Sequence, residues 1–311
     1  MFISCVYADP SSFHVILAQR EVNLYHRGVE QTLTVDGTTY ELVGVQREGM
    51  SAVYRGEGCY LRIGEKAKIE RDLALHKKME AAGFPVARLL GEGMYEDMAY
   101  FVEASLGERR LGIAFGDEYE ESGAVHAETF SELIAVTERH VRAQLQTQIS
   151  EPLWDEFAAG IRLDELCKEL PDDAERIRAR FAEAKKKLAS FPFVVTHGDF
   201  NTQNLYRDGV IDLEDSFFAP IGYDPISVLT TIDAAPDSQE YEFFARYRLS
   251  ADQRAVYLHA VDAIAREGGL PAFSAQEDSF AFCRYVWLAV GMQRWPKIQA
   301  WRYDMLKKHF L

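Results

Sequence analysis

Three side chains able to move protons or hold a cation recur at fixed offsets in one short stretch: His197-Gly-Asp199-Phe-Asn-Thr-Gln-Asn204, then Val210-Ile-Asp212-Leu-Glu214-Asp215. A phosphoryl-transfer centre needs a carboxylate that orients and deprotonates the attacking hydroxyl, and oxygen ligands that hold magnesium on the phosphates. Asp199 fits the first need, and Asn204 and Asp212 fit the second. Such hard oxygen donors suit Mg2+, which keeps several waters and completes its octahedron with substrate phosphates. Half of a hydrolase metal site is the competing reading of His197-x-Asp199, but no second histidine stands at ligand spacing.

The elements around these residues must aim them at one point. Phe193-Val-Val-Thr196 is apolar and β-branched and predicts a short buried strand. Leu205-Tyr206 and Val210-Ile211 flank Arg207-Asp208-Gly209, where Asp-Gly predicts a tight hairpin. Asp212 would then leave the second hairpin strand beside the loop that carries Asn204. Asp208 reads as a turn residue, and Asp215 as a solvated or loop-bonded one. Asp224 precedes Pro225, which also fits a helix N-cap.

The His-Gly-Asp-x-x-x-x-Asn loop, the Ile-Asp-x-Glu-Asp segment and Gly222-Tyr223-Asp224 occur in the order and spacing of a known group. Together they resemble the aminoglycoside phosphotransferase and choline kinase family of protein-kinase-like small-molecule kinases. The resemblance covers residues 45–224 most firmly. It implies an α+β, bilobal protein-kinase-like fold with a small antiparallel-sheet N-lobe and a larger, mostly helical C-lobe. It also implies ATP and Mg as cofactors, Asp199 as catalytic base and Asn204 and Asp212 as metal ligands. His197, Glu214 and Asp224 would support the loop.

Such a fold requires a nucleotide lid, a cationic phosphate anchor and a hinge upstream. Leu42-Val-Gly-Val45, Arg47-Glu-Gly49-Met-Ser51 and Ala52-Val-Tyr-Arg55 read as strand, turn and strand. Gly49 would let the backbone approach phosphates, and the Ser51 hydroxyl would donate to them. The chain holds no Gly-x-x-x-x-Gly-Lys-Ser/Thr sequence, which speaks against a P-loop enzyme. In Cys59-Tyr-Leu-Arg62-Ile63 the family places a phosphate-binding Lys or Arg, and here that residue is Arg62. On 66–82, Ile69, Leu73, Leu75 and Met79 recur at near-helical spacing until Gly83-Phe-Pro85. Family spacing makes Asp72 the carboxylate paired with Arg62; Glu70 is the alternative, and a solvated face is open for both. Ala99-Tyr-Phe-Val-Glu103-Ala-Ser105-Leu-Gly107 resembles the hinge, with the Glu103 and Ser105 backbones on adenine. The expected division is an N-lobe over 1–102, whose residues 1–35 extend the sheet, a hinge over 103–107 and a C-lobe over 108–311.

Composition narrows the partners. With 34 Lys and Arg against 49 Asp and Glu, the net charge is −15, which repels nucleic acid and anionic membranes. It favours a cationic hydroxyl acceptor of aminoglycoside or amino-alcohol type, although solubility alone also explains an acidic surface. No apolar run approaches the ~18 residues that span a bilayer, and no secretory leader is readable, so a cytoplasmic protein is expected. Four scattered cysteines form no Cys-x-x-Cys pair, which indicates neither a disulfide framework nor zinc. Arg62 and the single-glycine turn keep a non-catalytic nucleotide-binding or scaffold protein as the alternative. Beyond the hinge, Thr129-x-x-Glu132 predicts a capping box, Ile177, Phe181, Ala184 and Leu188 a core-facing helix, and 251–266, 280–294 and 297–309 further helices. The acceptor pocket is expected beside Asp199, near residues 233–242 and 280–295, where Tyr285, Trp287, Arg294 and Trp295 could line it.

Overall fold

The computed structural model describes residues 30–45, 51–236, 247–292 and 295–311. The strands expected at 2–7 and 13–17, the lid glycine Gly49, Arg294 and most of 233–242 lie outside the described residues. The chain divides into two compact units, one running to Ala81 and resuming at Val86–Glu108, the other formed by Ala82–Pro85 and Arg109–Leu311.

The first unit is a six-stranded antiparallel sheet with one helix. Its strands are β1 (Thr32–Val35), β2 (Thr38–Val45), β3 (Ser51–Gly56), β4 (Cys59–Gly64), β5 (Leu89–Tyr95) and β6 (Met98–Ala104), in the order β1-β2-β3-β4-β6-β5. Asp36 and Gly37 join β1 to β2 with φ of 50° and 81°, the double left-handed turn that matches strand twist. Period-two alternation gives the sheet two buried faces. Tyr100 and Val102 of β6 pack with Leu33, Tyr54, Leu61 and Ile63, whereas Ala99 and Phe101 meet Ile69 of helix α1 (Lys66–Ala81). Gly83 at φ 83° and Pro85 follow the helix end, a left-handed stop and a residue that cannot continue the helix.

The second unit is mostly helical. Its helices are α2 (Leu111–Ser122), α3 (Ala127–Gln144), α4 (Trp154–Gly160), α5 (Leu163–Glu169), α6 (Ala174–Leu188), α7 (Tyr223–Ala234), α8 (Ala251–Glu267), α9 (Glu277–Ala289) and α10 (Pro296–Phe310). A two-stranded ribbon, β7 (Phe193–Val195) against β8 (Phe218–Pro220), runs through them with Val195 opposite Phe218. Phe157, Leu166, Ile177, Phe193 and Phe280 are at most 1% exposed and mark the core between the helices and this ribbon. Among the described residues no helix is long and apolar enough to cross a membrane.

Two local expectations are corrected. Thr129 and Glu132 form no capping box, because α3 begins at Ala127 with His126 as N-cap. The N-cap N–H is met from a distance instead: the His126 N–H donates to Glu118 Oε2 at 2.8 Å, and the Thr129 side-chain hydroxyl donates to Glu118 Oε1. The helix expected over 280–294 starts at Glu277 and stops at Ala289, where Val290 turns extended.

Candidate active site

The loop after β7 is built by glycine and asparagine. Gly198 has φ 80°, and a Cβ there would lie 2.0 Å from the Asp215 carbonyl oxygen, so both its conformation and its surroundings demand glycine. Asn201 closes an Asx turn, its Oδ1 accepting from the Gln203 N–H at 2.8 Å. The Asn201 Nδ2 donates to Asp199 Oδ1 at 2.8 Å, and the Asn204 Nδ2 donates to Asp199 Oδ2 and the Asp199 carbonyl, both at 3.0 Å. Because both neighbours of the Asn204 amide nitrogen are acceptors, the amide has one workable orientation, and it leaves Oδ1 for a cation. Two loop carbonyls, Leu205 and Thr202, accept from the first N–H groups of α2, Leu111 and Gly112, each at 2.8 Å.

The expected hairpin forms as a minimal one: Leu205 bridges Val210, and the Tyr206 N–H donates to the Gly209 carbonyl at 2.8 Å across Arg207-Asp208. The Ile211 N–H then donates to the Asn204 carbonyl at 3.0 Å, which ties the residue before Asp212 to the metal-ligand candidate of the loop. Asp212 itself is 8% exposed and sits at φ 67°, ψ 61°, a left-handed conformation that costs a non-glycine residue free energy and marks functional segments.

Asp224 is the anchor beneath. It caps nothing: Gly222 is the N-cap of α7, and Asp224 lies in its first turn, fully buried. Its carboxylate accepts from His140 Nε2 at 2.8 Å, Gln144 Nε2 at 2.9 Å, the His197 N–H at 2.7 Å and the Gly198 N–H at 3.3 Å. His197 is fully buried. Its Nε2–H donates to the Ile211 carbonyl at 2.7 Å, and burial holds its pKa below the usual histidine range, so it is a neutral strut.

Asp215 is half-buried. Burial raises its pKa first, and the negative charges of Asp199, Asp212 and Glu214 raise it further, to about 7. Glu214 beside it is exposed. Among the described residues no group of three or more His, Cys, Asp or Glu is arranged to hold a metal. One amide oxygen and one carboxylate fit a cation that draws most of its ligands from water and phosphate, as Mg2+ does.

In the first unit the cation finds a different partner from the one expected. Arg62 lies opposite Phe101 in the β4–β6 ladder, so Glu103, two residues along β6, is its diagonal neighbour on the same face. The Arg62 Nε donates to Glu103 Oε1 at 3.1 Å, and Glu103 Oε2 lies 3.7 Å from His76 Nδ1 of α1. Asp72 instead takes Lys68, one turn back, at 3.1 Å, and Glu70 meets Lys66 on the exposed face. Glu103 therefore contributes its side chain. Its backbone runs between Tyr60 and Leu89 of the flanking strands, and the Ser105 N–H is spent on the Gly58 carbonyl at 2.9 Å, which argues against Ser105 donating to adenine. Ser51 is the first residue of β3, opposite Gly64, not part of a turn.

Two site residues escaped the sequence reading. Asn201 stood inside the motif with no role assigned to it. Arg284 of α9 donates to Asp199 Oδ1 at 2.5 Å. The signal for Arg284 was one charged residue inside Phe280-Ala-Phe-Cys-Arg284-Tyr-Val-Trp-Leu, an apolar helical run. Of the suggested pocket residues, Tyr285 packs on Phe310 at 5.1 Å, and the Trp287 ring lies under the Arg284 guanidinium.

A family model described as the phosphotransferase enzyme family, APH, matches residues 49–259, more than half of the chain. The chain belongs to this family. Its fold is the α+β protein-kinase-like one, with a small antiparallel-sheet N-lobe and a mostly helical C-lobe. A choline/ethanolamine kinase family protein from Mesorhizobium loti is similar at 12% identity and TM-score 0.55, with 94% of this chain and 92% of that one covered. A thermostable mutant of the aminoglycoside phosphotransferase APH(4)-Ia, in ternary complex with AMP-PNP and hygromycin B, is similar at 13% identity and TM-score 0.52, covering 87% and 92%. At such identities the likeness is one of fold. No curated protein matches the sequence.

Proposed function

We infer that this phosphotransferase moves the γ-phosphate of ATP to a hydroxyl group of a small molecule in a magnesium-dependent reaction. One observation carries the reading: the Asp199 carboxylate is held by Asn201 and by Asn204, the amide whose remaining oxygen suits a cation, so base and metal ligand are fixed to each other. In this reading Asp199 orients the acceptor hydroxyl and takes its proton, while Asn204 Oδ1 and Asp212 hold Mg2+. When bound there, the cation would supply charge neutralisation to the phosphates. Within the first unit, Arg62, held by Glu103, offers phosphate oxygens a planar fork, where lysine would act as a point charge. No side chain here need form a covalent intermediate, so positioning and charge stabilisation carry the rate.

The net charge of −15 favours a cationic acceptor, and the relatives of this fold include a complex with hygromycin B and a choline/ethanolamine kinase family protein. An ATP-consumption screen with Mg2+ against aminoglycosides, amino alcohols, homoserine, thiamine and ketosamines tests the reading. Turnover with at least one of them, lost on removal of Mg2+, is expected. Nucleotide binding with no transfer to any hydroxyl compound would sink it in favour of a scaffold role.

A further inference from the structure

Asp199 is met by a charge that its own loop does not supply. Arg284 is fully buried in an otherwise apolar stretch of α9, and a buried guanidinium persists only when its donors are met. Its Nη2 donates to Asp199 Oδ1 at 2.5 Å, its Nη1 to the Gly198 carbonyl at 3.0 Å and its Nε to Thr231 Oγ1 of α7 at 3.1 Å. The Trp287 ring lies 4.2 Å from its Cζ. Burial alone would lower the Arg284 pKa, but the Asp199 carboxylate and the Tyr223 side chain outweigh it and keep the group charged.

A carboxylate offers about four acceptor directions, two on each oxygen. On Asp199, Oδ1 takes Arg284 and Asn201, whereas among the described residues Oδ2 takes the Asn204 amide alone. We propose that Arg284 is the positioning residue of the catalytic base: its fork, spanning the Gly198 carbonyl and Oδ1, locks the Asp199 carboxylate so that Oδ2 presents its remaining lone pair to the acceptor hydroxyl. The proposal rests on the reading of Asp199 as the base. It goes beyond that reading in assigning the orientation of the base to α9, an element remote in sequence from the loop. Lysine at 284 would keep the charge but lose the fork.

Two measurements on the full chain test it. Steady-state kinetics with MgATP, using ethanolamine, hygromycin B and water as acceptors, should show kcat lower by on the order of 10²-fold in Arg284→Met, the loss expected of a misplaced reacting group. Arg284→Lys should recover only part of it, and KM for MgATP should stay within about twofold, since uniform binding is untouched. Millimolar guanidinium should restore turnover in Arg284→Ala and none in Asp199→Asn. Wild-type kcat in Arg284→Met, or a parallel rise of KM for MgATP that accounts for the loss, overturns the proposal. If Arg284→Met does not fold, Arg284→Lys carries the kinetic comparison.

Thermal unfolding closes a double-mutant cycle that needs no turnover. Arg284→Met should lower the midpoint of the wild type by several degrees and that of Asp199→Asn by less than half as much. Equal losses in both backgrounds would mean that the two side chains are uncoupled, and the proposal would fall. A wild-type protein silent with all three acceptors counts against the proposed reaction, and the cycle still decides the pairing.

Discussion

At the scale of single residues, Asp199 and Asp212 are separable by what their loss does. Asp199→Asn keeps the size of the side chain but removes the base and turns one of its two acceptor oxygens into a donor. Turnover should fall by about 10²–10⁴-fold while the MgATP dissociation constant, measured by calorimetry, is unchanged. Asp212→Asn should weaken MgATP binding itself, read in the same titration as a loss that disappears when ATP is offered without Mg2+. Asp215 makes a prediction of opposite sign for stability. Its pKa is about 7 when folded, against an ordinary 3.8, so the folded state holds a proton that the unfolded chain releases. That proton stabilises the fold at low pH, and its contribution fades as pH rises from about 4 to about 7. Asp215→Asn should therefore raise the unfolding midpoint at pH 8, by an amount that shrinks to nothing near pH 4, in scans made without Mg2+. A midpoint shift that grows on acidification would show that the carboxylate is not held among like charges.

At the scale of elements, Glu118 of α2 replaces the capping box that Thr129 and Glu132 suggest. Glu118→Ala should cost about 0.5–2 kcal/mol in a urea titration, the range for loss of a helix cap, whereas Glu132→Ala should cost far less. The contrast shows which parts of the molecule are legible in sequence. The Asp36-Gly37 hairpin, the end of α1 before Gly83 and the loop around Gly198 are written in residues whose backbone freedom or local hydrogen bonds leave few choices. Of helix α7 only the start was anticipated, from Asp224 before Pro225; its body was not, because Ile226, Val228, Thr230 and Ile232 are β-branched and favour strands until tertiary packing overrides them. The Arg62–Glu103 pair depends on strand register, and the Arg284–Asp199 pair on the packing of α9 against the loop; neither distance is encoded by spacing along the chain. The raised pKa of Asp215 is hidden in the sequence for the same reason, since the charges of Asp199 and Asp212 reach it only in the folded loop.

At the scale of the whole molecule, 49 acidic residues against 34 basic ones mean that repulsion outweighs the exposed ion pairs, each of which contributes little. Sodium chloride should therefore raise the unfolding midpoint between low ionic strength and about 0.15 M, where the Debye length is about 8 Å. A falling midpoint would mean that attractive pairs dominate. The division into two units also has a consequence for anyone wishing to separate them. The four residues Ala82–Pro85 belong to the second unit, although the chain on either side of them belongs to the first. There the Pro85 carbonyl accepts from the Val210 N–H at 2.8 Å, and the Phe84 ring meets the edge of His140 at 5.0 Å. A gene cut between codons 108 and 109 hands those four residues to the wrong half, leaving the hairpin that leads to Asp212 short of one acceptor. A transplantable second half must bring its missing tetrapeptide along, grafted through a new linker or supplied in trans.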